Sequence, residues 1–284
     1  MRGALGDRGY WALCLAALLV VGASGAALGQ MLYLPSSVTA KEAPSGALLA
    51  AADALGMVRG VGSNVYDAVN RIEFELQGVG FEPQKHGAWK RFTIAQERIC
   101  ISYHQQALRA IVDRVDAQGS KTHTIEVVAG RYAWNEQSPG VGGVAAMQSV
   151  AERSRRIWLT PQGFIYQAEL AGAKAVKVGS KAGRTTLSVL INGEPVTATL
   201  DAEQRPQLIE AQIHDALLGA TTLSYEYSGY KDFDYYGVMF PSHMVERLGA
   251  RTVLDATVSS LLTSTYFLFT PPEDIARLAA KAVR

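Results

Sequence analysis

The sequence predicts a mainly β protein, with a strongly curved antiparallel sheet of about nine strands (a half-barrel), an inserted helix pair and terminal helices. Residues Arg71–Gln77 alternate between apolar and polar side chains, which is typical of a strand with one buried and one wet face. Such strands belong to antiparallel sheets, because parallel sheets bury both faces. Asn192-Gly193 lies between two strand-like runs and is a strong hairpin signal. By contrast, apolar residues recur at three- to four-residue spacing after Met147, which predicts helix.

The N-terminus has the pattern of a secretory signal. Arg2 and Arg8 precede an uncharged apolar run over Tyr10–Val21, and small residues follow as far as Gly29. We expect residues 1–29 to be a signal peptide, cleaved after Gly29 or after Ala26. An uncleaved membrane anchor over residues 9–29 is the alternative, since that length can span a bilayer. Either outcome predicts a periplasmic or secreted protein, tethered to the inner membrane if the anchor is kept.

The remaining elements follow in order along the chain. Residues 30–44 are expected to form a tether, and residues 45–284 a single domain that ends in a helix. Ser45 and Gly56 delimit a short first helix. The nine predicted strands are 71–77, 92–103, 122–134, 184–191, 196–200, 208–216, 221–230, 237–246 and 251–261.

Three further signals place the helices. Between the third and fourth predicted strands, Thr160-Pro161 restarts a helix, so Met147 to Ala173 forms a pair of helices. Thr270 and Glu273 have the spacing of a capping box for the last helix. Because consecutive hairpins twist a sheet strongly, we expect the helix pair to lie across its concave face.

The candidate ligand-binding residues are apolar or aromatic side chains expected on that concave face. They are Phe74, Leu76, Trp158, Phe164, Ala168, Tyr225 and Tyr227. A tyrosine adds a hydroxyl to a large apolar area, which suits a ligand-binding rim. The alternative for the tyrosines is cross-strand aromatic pairing that stabilises a hairpin.

No motif in the sequence predicts catalysis. The five histidines include no two within five residues of each other, so no local metal-ligand pair exists, and no Gly-x-Ser-x-Gly elbow occurs. We therefore expect no catalytic residue, no metal and no cofactor. After residue 29 the chain has 25 basic and 25 acidic residues, which gives no indication of nucleic acid. Cys100 is the one cysteine there, and its strand-like neighbours predict a packed core thiol.

Four segments of the chain resemble a known domain. They are residues 50–56, 128–135, 156–164 and 227–241. In order and spacing they are similar to the domain that precedes the metallo-β-lactamase domain of bacterial secreted hydrolases, over about residues 45–262. The last segment also resembles the LolA/LolB-like group, the lipoprotein-carrier fold. The resemblance implies an open curved sheet closed by helices over an apolar cavity. The His-x-His-x-Asp-His motif of those hydrolases is absent, so no catalytic residue is carried over.

The sequence thus favours a non-catalytic binding module for an apolar small molecule or a lipid acyl chain. The alternative is an accessory subunit that docks on a membrane or periplasmic enzyme complex, and a third hypothesis is a hydrolase-associated domain. A continuous cavity of several hundred Å3 would favour ligand binding. A helix-filled, packed interior would favour scaffolding.

The export prediction can be tested with a reporter. Residues 1–40 fused to an alkaline phosphatase that folds only outside the cytoplasm should give active enzyme. Deleting Tyr10–Val21 from the same fusion should abolish the activity. A silent fusion at normal expression would contradict export.

Overall fold

In the computed structural model, thirteen strands form one antiparallel sheet. The structure describes residues 46–57, 69–84, 88–215, 218–263, 265, 267 and 269–282, so the predictions for residues 1–44 and Ser45 lie outside the described residues. The strands are β1 Arg71–Pro83, β2 Trp89–Ser102, β3 Ala107–Asp116, β4 Lys121–Ala129, β5 Tyr132–Glu136, β6 Val144–Ala145, β7 Lys177–Lys181, β8 Arg184–Ile191, β9 Glu194–Leu200, β10 Pro206–Asp215, β11 Gly219–Asp232, β12 Met239–Leu248 and β13 Arg251–Thr263. The helices are α1 Gly46–Ala54, α2 Val150–Trp158, α3 Pro161–Ala171 and α4 Glu273–Ala282.

The sheet is strongly curved and open. Its strand order is β6-β5-β4-β3-β2-β1-β13-β12-β11-β10-β9-β8-β7. The first and last strands pair in the middle of the sheet, with Phe74 opposite Leu261. Consequently the two edge strands, β6 and β7, are consecutive in the chain, and the segment that joins them carries α2 and α3.

The fold class is confirmed, but the predicted strand count is wrong. The structure has thirteen strands, four more than predicted. Strand β3 and the short edge strands β6 and β7 were missed because they have no clear pattern in the sequence, and the run 122–134 divides at Gly130 into β4 and β5. All five residues of β7 are exposed, so backbone pairing with β8 forms this strand without an apolar face. The helix pair lies between the predicted strands 122–134 and 184–191, as expected, and the two additional strands β6 and β7 flank it directly.

Helices α1 and α3 fill part of the concave face. Phe164, Ile165 and Ala168 on α3 are fully buried in the main core cluster, together with Leu48 and Ala51 of α1. The predicted start of α3 is confirmed, since the Thr160 side chain accepts a hydrogen bond from the amide of Gly163 at 3.1 Å. A side chain at Gly163 would not fit, because its Cβ would lie 2.1 Å from the carbonyl oxygen of Ile157.

The alternating pattern of β1 predicts a convex face exposed to solvent, but part of that face is buried. A second apolar cluster covers β2–β5, where Phe269 and Ile275 from the C-terminal segment pack on Trp134 and Cys100. Burial raises the pKa of the Cys100 thiol to about 12, so this thiol is a core group as predicted. Glu73, expected on a wet face, is only 7% exposed and forms an ion pair with Arg98 of the next strand.

The predicted C-terminal helix is present, but its expected capping box is not. The first helical hydrogen bond runs from the amide of Ala276 to the carbonyl of Pro272, which places the cap at Pro272 and not at Thr270. Among the described residues, no helix combines the length and apolar character needed to cross a membrane.

The packing of β1 predicts the effect of truncating Phe74. Its ring is 2% exposed and lies 4.9 Å from the ring of Phe240, so Phe74→Ala should lower the free energy of unfolding by roughly 3–5 kcal/mol. Leu262, half-exposed on the opposite face beside Leu261, is the matched control, and Leu262→Ala should change it by no more than about 0.5 kcal/mol. Urea unfolding measures both, and equal losses would contradict the assigned inward face.

Candidate functional site

Arginines of α2 connect this helix to both sides of the open sheet. The guanidinium of Arg153 donates to the carbonyl oxygens of Val127 and Trp134, at 3.1 and 2.8 Å, on β4 and β5. Arg155 donates from Nε to the Glu194 carboxylate on β9, at 3.0 Å. Charge-assisted bonds of this kind are about twice as strong as neutral ones. The helix is therefore held near both edges of the sheet.

Arg156, the third arginine of α2, reaches into the concave face. It forms an ion pair with Glu97 of β2 and lies 3.5 Å from the Glu126 carboxylate on β4. Burial opposes the charge on Arg156, but these two carboxylates outweigh it and raise the pKa of the guanidinium. A buried cation with two anionic partners is costly to disturb, so this contact fixes the position of α2.

The junction between α2 and α3 is also anchored to the sheet. The hydroxyl of Tyr227 on β11 donates to the carbonyl oxygen of Leu159 at 2.6 Å. The hydroxyls of Tyr103 and Thr160 are hydrogen-bonded at 3.0 Å. The helix pair thus covers the concave face, as expected, and is fixed there by hydrogen bonds at its turn.

A cavity of about 450 Å3 lies between α2 and the concave face of the sheet. Strands β1–β4 and β10–β13 contribute its wall. Its apolar and aromatic lining consists of Phe74, Leu76, Phe81, Pro83, Trp89, Phe92, Ile94, Ile99, Ile213, Leu223, Tyr225, Tyr227, Met244, Leu248, Val253 and Leu254. The volume falls within the range of small-molecule sites, about 300–1,000 Å3.

Gly80 shapes one part of this wall. The Phe92 ring from the neighbouring strand lies over it, and a Cβ at Gly80 would be only 2.1 Å from Cζ of that ring. The guanidinium of Arg114 lies 4.6 Å from the centroid of the same ring, in cation–π contact. A side chain at Gly80 would therefore displace the Phe92 ring, which itself lines the cavity.

The cavity also has a charged part. Its described lining includes six acidic and three basic side chains, which gives a formal charge of −3. The acidic ones are Glu82, Glu97, Glu126, Glu152, Asp215 and Glu246, and the basic ones are Arg114, Arg155 and Arg156. The apolar wall can therefore hold an apolar part of a ligand, while the charged side chains determine which polar head group can be attached to that part.

Glu246 on β12 is the acidic group that the cavity most perturbs. Burial raises the pKa of its carboxyl to about 6, against the opposing effects of a hydrogen bond from Tyr225 and of the Arg156 charge. Burial also raises the pKa of the Tyr225 hydroxyl well above its ordinary value, so this hydroxyl stays protonated and can donate. The rings of Tyr225 and Tyr227 stack with centroids 6.1 Å apart.

Four of the seven predicted site residues line this cavity: Phe74, Leu76, Tyr225 and Tyr227. Trp158 instead lines a second cavity, of about 500 Å3, that includes Met147 and Asn192.

Phe164 and Ala168 are fully buried in the packed core and line neither cavity. Arg156, Glu97 and Glu246 were not predicted as site residues, since charged residues on predicted helices and strands suggest solvated faces. These three residues come together only through the packing of α2 against strands that are distant in the sequence.

Within the ranges that the structure describes, no three His, Cys, Asp or Glu side chains are grouped so as to hold a metal ion. No family model matches the chain, and neither does any curated protein.

Several solved structures are similar to it, two of them over more than three quarters of this chain. One is a LolA superfamily protein from Nitrosomonas europaea, at 12% identity and a TM-score of 0.42, with 82% of this chain and 97% of that chain covered. The other is the lipoprotein LppX of Mycobacterium tuberculosis, at 10% identity and a TM-score of 0.30, with 78% and 98% covered. Likenesses this weak leave the function to be argued from the site itself.

The raised pKa of Glu246 makes stability depend on pH. An acid whose folded pKa exceeds its unfolded value, here about 6 against 4.5, contributes stability at low pH that is lost as pH rises through that window. Glu246→Gln should therefore stabilise the protein at pH 7.5 by about 1–2 kcal/mol, since one pKa unit is about 1.4 kcal/mol. At pH 4.5 the difference should vanish.

Urea unfolding at the two pH values measures this effect. Glu226→Gln is the control, because Glu226 lies on the outer face of β11, paired with Arg247. It should show no such pH dependence. A Glu246→Gln protein less stable than the wild type at pH 7.5 would contradict the assigned pKa direction.

Proposed function

We propose that the chain is a non-catalytic binding module, outside the cytoplasm, that holds an apolar ligand or the acyl part of a lipid. The observation that carries the proposal is the cavity of about 450 Å3 between α2 and the concave face, lined mainly by aliphatic and aromatic side chains. Export, by a cleaved signal peptide or with residues 9–29 as an anchor, is part of the same proposal.

The contrast between two parts of the concave face supports binding. Where α1 and α3 pack on β8, the interior is filled, and Phe164, Ile165 and Ala168 have no exposed surface. Under α2 the interior is not filled, although apolar side chains surround it. Three arginines hold α2 over this space, so it does not close by collapse of the helix. A preformed apolar space of this size favours a ligand over pure scaffolding.

The edge strand β7 favours the second candidate function, an accessory subunit. All its residues are exposed, so it could add a strand from a partner such as a membrane or periplasmic enzyme complex. Lysines at both of its ends, Lys177 and Lys181, discourage such pairing, which is why ligand binding is preferred. Under either function, the resemblance to the domain beside a metallo-β-lactamase domain supports a hydrolase-associated role as a third proposal.

Binding can be tested with N-phenyl-1-naphthylamine, a neutral dye that fluoresces in apolar surroundings. The folded protein should bind one dye, and Leu223→Trp should weaken this binding at least about tenfold by filling the cavity. Leu190→Trp is the control, because Leu190 is 65% exposed on β8, and it should bind as the wild type does. Circular dichroism establishes that both variants are folded. Absence of dye binding by the folded wild type would contradict the proposal and leave the accessory-subunit function.

A further inference from the structure

The charged groups of the cavity bear on the kind of ligand it can hold. Among the described residues, two of its three guanidinium groups are already paired with carboxylates. Arg155 is paired with Glu194, and Arg156 with Glu97 and Glu126. Arg114 lies over the Phe92 ring and its Nε has no hydrogen-bond partner in the described part of the chain, but it belongs to β3, four strands away in the sheet from β12, which carries Glu246. An anionic head group at Arg155 or Arg156 would have to displace one of these ion pairs. It would also enter a lining whose formal charge is already −3.

Glu246 differs from the carboxylates of Glu97, Glu126 and Glu194, which form ion pairs. No basic side chain of the described residues forms an ion pair with its carboxylate, whose hydrogen-bond donor is the Tyr225 hydroxyl. Arg156 acts on it only through its longer-range charge, and Arg156 is already shared by two other carboxylates. Glu246 is half-buried, lines the cavity and is accessible from it. Its negative charge is therefore under-compensated inside a largely apolar space, which is energetically costly.

We infer that the cavity takes an amphiphile with a primary ammonium head, which contacts Glu246 while the apolar tail lies along the aliphatic and aromatic wall. This inference rests on the proposed function and names the class of its ligand. A cation there would reduce the excess negative charge of the lining and would form an ion pair with the half-buried Glu246 carboxylate.

Three ten-carbon amphiphiles test this inference: decylammonium, decyl maltoside and decanoate. Each is titrated calorimetrically into the protein at pH 7.5, in low salt and below its micelle concentration. Decylammonium should bind at least about tenfold more tightly than decanoate, because the two heads differ in the sign of a charge placed beside Glu246. Glu246→Gln should reduce this ratio severalfold, while Glu226→Gln, on the outer face, should leave it unchanged.

A second measurement uses the wild-type protein and is informative even if the variant fails to fold. The groups that face Glu246 are Tyr225 on β11, Arg156 and Glu152 on α2, and Glu97 on β2. Protonation of Glu246 removes the counter-charge, so lowering the pH from 7.5 to 5 should weaken decylammonium binding to the wild type several-fold. The ammonium itself stays charged over this range, and Glu246→Gln should show a much smaller change.

The outcomes separate the inference from the function on which it rests. If all three amphiphiles fail to bind, the proposed function is overturned, and the inference with it. If decyl maltoside binds but decanoate binds as tightly as decylammonium, the binding module stands and the ammonium preference is wrong. An ammonium preference that survives both Glu246→Gln and pH 5 would overturn the role of Glu246.

Discussion

Three arginines on one short helix connect the separated sides of an open sheet. Strands β6 and β7 are the edges, and no hydrogen-bonded ladder joins them. Between them, α2 is bonded through Arg153 to β4 and β5, through Arg155 to β9, and through Arg156 to β2 and β4. The cavity exists because these bonds hold α2 across the concave face. The sheet supplies the wall, and the arginines determine where the cover lies.

The same contacts give the cavity its charge. To hold α2, Arg156 needs carboxylates that face inward from strands otherwise lined by apolar residues, and Glu97 and Glu126 supply them. Glu246 adds a carboxylate that this pairing does not compensate. The lining of the cavity is therefore neither wholly apolar nor wholly polar. It is an apolar space with a negatively charged part, which is the combination that an amphiphile with a cationic head would match.

The sequence allowed prediction of the fold class and of a wall of the cavity, for a physical reason. Period-two alternation is a local property, so Phe74 and Leu76 could be placed on an inward face, and Tyr225 and Tyr227 on a common one. The cap at Thr160 is equally local. Strand β7 escaped prediction because exposed edge strands need no apolar face. Trp158, Phe164 and Ala168 were correctly predicted to be helical. Whether a helix face lines a cavity or packs into the core depends on contacts between distant segments, which the local pattern does not show. The pairing of Arg156 with carboxylates 59 and 30 residues away has no local signature.

The central claim is that the space under α2 is a ligand-binding cavity, and native mass spectrometry tests it most directly. The chain, purified from cells without detergent, should give a species heavier than the protein by the mass of one amphiphile. Leu223→Trp, which fills the cavity, should give the protein mass alone. Wild-type protein that carries no bound molecule, and that acquires none when mixed with a lipid extract of the same cells, would contradict the claim.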